Sequence, residues 1–205
     1  MAKFHHGNLR EALLTRASEI IEAGGIEALS LRGMARDLKV SATAPARHFK
    51  CRADLLRTLA MMGYDRATNA TVAALNDAGD DPVTRLNAMA KAFVDWSLDN
   101  RALYTAIFHP DVSRQADEAL KRALIDFAAL VQTAIGEAQR AGWRQSDDPQ
   151  VLFHHITALI RGMTANMSDP LYVSVAGRVD RQVVETVIDA MIPIGAGSTD
   201  HISPR

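Results

Sequence analysis

Hydroxyl and cationic side chains are concentrated between Ser30 and Arg57, and their types are suited to binding an anionic partner. The hydroxyls of Ser30 and Thr43, together with the free amide groups at two predicted helix starts, can hydrogen-bond phosphate oxygens. Arg47 offers a planar fork of donors that matches either a guanine edge or a phosphate. The chemistry predicted for this stretch is therefore recognition of a polyanion.

Two short helices are expected to position these groups. Ser30 is a favourable N-cap for a helix that ends near Leu38, and a second helix follows the turn at 39–41 and closes at His48 and Phe49. This spacing lets the second helix enter the major groove of DNA, which is about 12 Å wide, while the first crosses the backbone. The residues predicted to contact DNA are Ser30, Arg32, Ser41, Ala42, Thr43, Arg47, His48, Lys50 and Arg52.

Pro45 restricts where the second helix can begin. A helix capped by Ser41 would lose the hydrogen bond to the Ser41 carbonyl, because proline has no backbone N–H. A helix capped by Thr43 places Pro45 in its first turn, where no bond is lost. We therefore predict a short recognition helix that begins near Thr43.

The rest of the chain is also expected to be helical, which predicts an all-α fold. Asp81-Pro82 and Asp148-Pro149 each combine an N-cap with proline in the first helical turn, and Ser113 is expected to cap a long helix. The stretch around Asp169-Pro170 and Gly177 is expected to be irregular. Further helices are predicted at about 7–23, 52–78, 82–100, 101–108, 113–141, 149–167 and 180–192.

The charge distribution divides the chain into a basic head and an acidic body. Residues 1–66 carry 11 basic and 7 acidic side chains, a balance of +4, while the remainder carries −5, and together they give the net charge of −1. We predict a helix–turn–helix DNA-binding domain at 1–66, a C-terminal domain at 67–195 that does not bind DNA, and a disordered tail at 196–205. The effector-binding and dimerisation roles of the C-terminal domain are what the family resemblance described below implies.

Several other functions are disfavoured by the sequence. No apolar run approaches the ~18 residues of a membrane span, the first residues lack the apolar core of a signal peptide, and the single cysteine suits a reducing cytoplasm. No spacing of His, Cys or carboxylates predicts a metal site, a catalytic site or a bound cofactor. Cys51, next to Arg52, is interpreted either as a redox sensor or as an inert thiol. We expect a cytoplasmic protein that is not an enzyme.

The predicted C-terminal helices carry two sets of apolar side chains. The candidate ligand-binding residues, interpreted either as pocket lining or as core, are Met89, Phe93, Trp96, Tyr104, Phe108, Phe127 and Met163. The last two long helices carry more apolar side chains than one chain needs, which predicts a four-helix dimer interface. The residues considered for it are Val151, Ile156, Leu159, Ile160, Met163, Val183, Val184, Val187, Ile188 and Met191.

The N-terminal stretch resembles the TetR/AcrR family of regulators from about Leu9 to Leu59. The matching residues are Gly24-Gly25, Leu29-Ser30-Leu31-Arg32, Ala35, Val40-Ser41, His48-Phe49-Lys50 and Arg52-Ala53-Asp54-Leu55-Leu56. The resemblance implies a homodimer, a palindromic double-stranded DNA operator, and a C-terminal domain that dimerises and binds a small apolar or amphipathic molecule. The segments at 4–10 and 44–49 look like the branch with a WHG-type C-terminal domain.

The chain departs from the family pattern at three places. Lys39 stands in the turn where glycine is usual, and Ala46 stands where a phosphate-binding tyrosine is common. Thr157 and Arg161 precede Gly162 where the WHG branch has tryptophan and histidine. The function predicted from the sequence is a repressor that a small ligand releases from its operator. The alternatives are a TetR-like DNA-binding protein without a small-molecule effector, and an all-α enzyme or adaptor.

Overall fold

The computed structural model describes residues 9–177 and 180–194, and every regular element in these ranges is helical, which confirms the all-α prediction. The predicted helix start at residue 7 and the predicted disordered tail at 196–205 lie outside the described residues. None of the helices in these ranges combines the length and the apolar character that a membrane span needs. The α-helices are α1 (Leu9–Gly24), α2 (Leu31–Asp37), α3 (Arg52–Asp77), α4 (Pro82–Asp99), α5 (Arg101–Ile107), α6 (Pro110–Arg114), α7 (Glu118–Arg140), α8 (Pro149–Ser168), α9 (Pro170–Ala176) and α10 (Arg181–Met191).

The helices form two compact units. The first comprises the residues up to Asp65 together with Asn100–Leu124, and the second comprises Arg66–Asp99 and the residues from Ile125 onward. In the first unit, α5 packs against α1 and against the 3₁₀ turn Ile26–Ala28. The segment that carries α5 and α6 is thus grouped with the N-terminal helices, whereas the boundary at residues 66 and 67 remains a prediction from sequence.

Two aspartate–proline pairs begin helices as the sequence predicts. Asp81 Oδ2 accepts hydrogen bonds from the Thr84 amide at 2.8 Å and from the Thr84 hydroxyl at 2.5 Å, at the start of α4. The hydroxyl bond and then the amide bond hold the pKa of Asp81 below its ordinary value. Asp148 Oδ1 accepts from the Gln150 amide at 2.7 Å, at the start of α8. Each aspartate satisfies an amide that the first turn leaves without a helical partner.

The expectation of an irregular stretch around Asp169 is wrong, because α9 begins there. Asp169 Oδ1 accepts from the amides of Leu171 and Tyr172 at 2.8 and 3.2 Å, and Gly177 ends the helix with a φ of 85°. The sequence signal was the same aspartate–proline pair that begins α4 and α8.

The prediction that Ser113 caps a long helix is also wrong. Ser113 lies inside α6, which begins because the His109 side chain accepts through Nδ1 from the Asp111 amide at 3.2 Å. The long helix α7 starts later, where Asp117 Oδ1 accepts from the Leu120 amide at 2.9 Å. An imidazole and a carboxylate therefore serve as the caps in place of the serine hydroxyl.

Gly63 lies in α3 against α5, within the first unit. A Cβ at this position would stand 2.8 Å from Ile107 Cδ1 and 3.3 Å from the Leu103 carbonyl oxygen. Ile107 is buried, so its side chain has little room to move away. Glycine at this position thus lets the two helices pack closely.

Replacing Gly63 by alanine is expected to lower the free energy of unfolding by a net amount of up to ~2 kcal/mol. Overpacking a buried contact costs about 1–3 kcal/mol, and the ~1 kcal/mol that alanine gains in helix propensity offsets part of that cost. Gly136→Ala in α7 is the matched control, because a Cβ there meets only the Arg140 guanidinium at 3.5 Å. Thermal unfolding followed by circular dichroism should show a lower Tm for the first variant and a higher Tm for the second. A rise in both would contradict the packing argument.

Candidate nucleic-acid interface

The helix–turn–helix begins with the cap that the sequence predicts and turns through a left-handed residue. Ser30 Oγ accepts from the Gly33 amide at 3.4 Å at the start of α2. Lys39 has a φ of 55°, its amide donates to the Arg36 carbonyl at 3.1 Å, and the Val40 amide donates to the Ala35 carbonyl at 2.9 Å. This is a Schellman ending, in which glycine is the usual left-handed residue, and a side chain there costs about 1 kcal/mol.

The recognition segment is shorter than predicted. In place of an α-helix capped by Thr43, it forms a single 3₁₀ turn, Pro45–Arg47, which we call the recognition turn. Ala44 precedes this turn and provides no side-chain cap. Because Pro45 has no N–H, the Ser41 carbonyl accepts instead from the Ala44 amide at 2.9 Å. The predicted helix and its Thr43 cap are therefore wrong, although the reasoning about Pro45 identified the residue that prevents the α-helical bond.

Two buried residues hold this turn in the first unit. Pro45 and Phe49 are buried, with Phe49 only 1% exposed, and the Phe49 amide donates to the Pro45 carbonyl at 2.9 Å. The Arg10 guanidinium lies over the Phe49 ring, 5.5 Å from its centroid. The predicted contact residues between and before these anchors are exposed: Ser41, Ala42, Thr43, Arg47 and His48.

Arg52, which the sequence predicts as a DNA contact, is paired with groups of the first unit. Its guanidinium donates to the Ile26 carbonyl at 2.7 Å and to Glu27 Oε2 at 3.1 Å. The other oxygen of Glu27 lies 3.5 Å from His109 Nε2. Arg52 thus ties the start of α3 to the 3₁₀ turn that follows α1, and its charge is compensated there.

The carboxylates from Glu27 to Asp54 all have partners within the protein. Besides the Glu27 pair, Asp37 Oδ2 accepts from the Arg16 guanidinium at 2.8 and 3.0 Å. Hydrogen bonds to Glu19 and then to Asp37 raise the pKa of Arg16 above its ordinary value. Asp54 Oδ2 accepts from the backbone amide of Lys50 at 3.0 Å. None of these acids is left without a partner beside the recognition turn.

Four cationic side chains of this segment are exposed and make no hydrogen bond or ion pair with another described residue: Arg32, Lys39, Arg47 and Lys50. With the acids occupied, these cations give the helix–turn–helix an uncompensated positive potential. Such a potential attracts a phosphate backbone and leaves the side chains available to it.

The candidate ligand-binding residues are divided between the two units. Met89 lies in the core of the second unit, and Phe93, Phe127 and Met163 pack against that core while remaining partly exposed. The Phe93 ring lies 5.4 Å from the Trp96 ring and 5.5 Å from the Phe127 ring. Five of the seven residues therefore belong to one unit.

Tyr104 and Phe108 belong to the first unit, on and just after α5. Their rings pack edge to face at 4.8 Å. Sequence reasoning placed them with the C-terminal apolar set because the helix that carries them follows α4 directly in the chain.

A polar seam between α4 and α10 was not anticipated from the sequence. The buried Asn87 donates through Nδ2 to Asp189 Oδ1 and to the Ile192 carbonyl, both at 2.8 Å, and Lys91 Nζ lies 2.6 Å from Asp189. Hydrogen bonds from Lys91 and then Asn87 hold the pKa of Asp189 below its ordinary value.

At the other end of the seam, Arg181 binds Asp95 at 2.5 Å and Asp99 at 2.6 Å. The signal in the sequence was the four-residue spacing of polar side chains at 87, 91, 95 and 99, which places them on one face of α4. The seam fixes α10 along α4 in one register.

No group of three or more His, Cys, Asp or Glu side chains in the described ranges is arranged to hold a metal ion. Cys51 is exposed.

Comparisons with known proteins agree with these features. A family model described as a tetracyclin repressor-like C-terminal domain matches residues 86–191. A protein of unknown function from Rhodococcus sp. RHA1 is 30% identical in sequence and superposes with a TM-score of 0.75. The superposition covers 93% of this chain and 97% of the Rhodococcus protein. A search of curated proteins found no significant match.

Two more distant structures share the fold. PfmR from Thermus thermophilus, a TetR-family transcriptional regulator, has a TM-score of 0.71 at 15% identity, covering 88% of this chain and 96% of PfmR. AibR, solved with isovaleryl coenzyme A and operator DNA, has a TM-score of 0.72 at 17% identity, covering 90% of this chain and 98% of AibR. At these identities the likeness is one of fold.

Proposed function

Because this chain belongs to the tetracyclin repressor-like (TetR) family of transcriptional regulators, which are not enzymes, we propose that it represses transcription by binding a palindromic DNA operator as a homodimer. A small apolar or amphipathic molecule, bound by the second unit, releases it from the operator. The observation that carries the proposal is the set of uncompensated cations on the helix–turn–helix.

Operator binding is supported by the division of roles among the charged residues. Arg52 and Glu27 stabilise the first unit, while the side chains of Arg47 and Lys50, at the end of the recognition turn and just after it, make no hydrogen bond or ion pair with another described residue. In our proposal, Arg47 reads a base edge, and the Ser41 and Thr43 hydroxyls and Lys50 contact phosphates. The 3₁₀ turn is short, so a few side chains carry the sequence preference. The assignment to the WHG branch stays a prediction.

The homodimer is supported by apolar side chains that remain exposed near the C-terminal end. Several of the interface candidates from the sequence are instead buried in the second unit: Ile156, Ile160, Val184 and Ile188. Of the eight large apolar side chains exposed in the described ranges, six lie in the last third of the chain: Val151, Leu171, Tyr172, Val175, Val183 and Ile194. Since exposed apolar patches mark interaction sites, we assign the dimer contact to the exposed faces of α8, α9 and α10.

The ligand is proposed to bind beside Phe93, Trp96 and Phe127, whose rings form an aromatic cluster in the second unit. Aromatic and methionine side chains suit an acyl chain. AibR, which has the same fold, was solved with isovaleryl coenzyme A, so a short acyl thioester is the first compound to test.

The proposal is tested by selecting duplexes from a random pool with the purified full-length chain. We expect recovery of a palindrome whose half-sites are centred about one helical turn apart, and an affinity that falls steeply with salt. Isovaleryl coenzyme A is then titrated against the bound duplex, with coenzyme A as the control.

Recovery of no sequence, or of a site without two-fold symmetry, would overturn the operator proposal. Release by neither compound, together with no rise in Tm, would exclude a short acyl thioester as the ligand and leave the operator proposal intact.

A further inference from the structure

Two residues other than glycine adopt the left-handed backbone conformation in the described ranges: Lys39 with a φ of 55° and Arg144 with a φ of 46°. Side chains are disfavoured in this conformation, so a non-glycine residue there calls for a compensating interaction or a functional reason.

Arg144 has a compensating interaction within its own loop. Its Nε donates to Asp147 Oδ2 at 2.5 Å. Its carbonyl accepts from Gln139 Nε2 at 3.1 Å and from the Asp147 amide at 3.1 Å. Both the side chain and the backbone of Arg144 therefore contribute to holding this loop.

Lys39 differs, because only its backbone contributes to the turn. Its amide and that of Val40 close the Schellman ending of α2, a role that glycine performs without steric cost. The lysine side chain is exposed and makes no hydrogen bond or ion pair with another described residue. The nearest acid in sequence, Asp37, is occupied by Arg16. The fold thus requires the turn at this position, and among the described residues the ammonium group adds no hydrogen bond or ion pair to it.

The location of Lys39 indicates what the ammonium group contacts. In a helix–turn–helix on DNA, the first helix crosses the backbone and the second enters the groove, so the turn between them lies beside the phosphates at the groove edge. A flexible ammonium group is a point charge suited to a phosphate oxygen, whereas base edges favour a planar fork.

We propose that Lys39 binds a backbone phosphate of the operator, one in each half-site, and that this contact is the reason for a lysine at a left-handed position. The inference rests on the operator-binding function proposed above. It adds Lys39 to the contact set, in a family position where glycine offers no side chain. The competing explanation is structural: a cation near the C-terminal end of α2 stabilises that helix through its dipole.

The test uses the full-length chain and the palindromic duplex recovered by selection. For Lys39→Gly we expect a Tm about 2–4 °C higher, because the backbone strain is relieved. We expect its operator affinity to fall at least about tenfold at 0.1 M salt. The slope of log affinity against log salt should become shallower by about 1.8, since a dimer loses two phosphate contacts.

Two further variants separate contact from fold. Lys39→Arg keeps the charge and should retain the parental salt slope. Lys121→Gln removes an exposed lysine from α7, outside the helix–turn–helix, and should also leave the slope unchanged.

A Lys39→Gly protein with the parental affinity and slope would overturn the phosphate assignment while leaving operator binding intact. A lower Tm with weaker binding and an unchanged slope would assign Lys39 a purely structural role instead. If the parental protein shows no salt-dependent duplex binding, both the inference and the proposed function are wrong.

Discussion

Phe49→Ala is expected to lower the free energy of unfolding of the first unit by about 3–5 kcal/mol and to abolish operator binding at ordinary temperatures. The side chain is 1% exposed and lies two residues after the recognition turn. Truncating it removes the contacts that hold the turn and leaves a cavity below it. Small domains are stable by only about 5–15 kcal/mol in all, so the loss is a large fraction.

The position of Phe49 explains why the effect should reach Arg47. The Phe49 amide shares the Pro45 carbonyl with the His48 amide, each at 2.9 Å, so the ring and the turn are fixed together. The Arg10 guanidinium over the ring adds a cation–π contact between α1 and the turn. Without the ring, the exposed side chains of the turn lose the support that gives them one orientation.

Urea unfolding monitored by circular dichroism measures the stability loss, and gel shift with the selected duplex measures the binding. Phe49→Leu is the control, because it keeps most of the apolar volume and should cost less than about 1.5 kcal/mol. A Phe49→Ala protein that unfolds within about 1 kcal/mol of the parent would show that the turn has no buried anchor.

Local signals predicted most of the helix boundaries. Asp81 and Asp148 cap the helices that the sequence assigned to them, because a carboxylate before proline satisfies first-turn amides without help from the rest of the fold. The same pair at Asp169 does not predict a helix in the same way, because the seven residues of α9 that follow it are too few to show a helical apolar period. A cap is a local feature, whereas a short helix depends on tertiary support.

Features that depend on tertiary contacts were not accessible from the sequence. The cap at the start of α7 is Asp117, whose second carboxylate oxygen lies 2.9 Å from the Arg57 guanidinium of α3. That pair joins residues 60 positions apart in the chain, and no local rule favours it over the nearby Ser113. The grouping of α5 with α1 has the same origin, because it follows from packing and not from chain order.

In the candidate interface, too, the local features could be predicted from the sequence, whereas the features that depend on tertiary contacts could not. The family pattern has glycine where Lys39 stands, which is typical of a left-handed turn, and Lys39 has a φ of 55°. The obstacle at Pro45 could be predicted from the missing N–H, but the resulting 3₁₀ turn could not, because it depends on burying Pro45 and Phe49 together. The pairing of Arg52 within the first unit could not be predicted for a similar reason, since its partner Ile26 lies 26 residues earlier.

Arg47→Ala is expected to weaken operator binding by about 2–6 kcal/mol per dimer, or at least about thirtyfold, since each bidentate base contact is worth about 1–3 kcal/mol. Arg47 ends the recognition turn and is exposed, with no hydrogen bond or ion pair to another described residue. Truncation should therefore leave the fold unchanged, with a shift in Tm of no more than a degree or two. The measurement is a gel shift at matched salt, with the duplex recovered by selection.

Arg47→Lys distinguishes the two contacts that the guanidinium can make. If Arg47 reads a base, lysine loses the planar fork, and the half-site position that it reads becomes tolerant of other bases. If Arg47 binds only a phosphate, lysine keeps the parental sequence preference and salt slope. Arg122→Ala, which removes an exposed arginine from α7, is the matched control for net charge. If Arg47→Ala binds the duplex with the parental affinity, Arg47 is not part of the interface. The proposed DNA contacts are then the hydroxyls of Ser41 and Thr43 and the two lysines, Lys39 and Lys50.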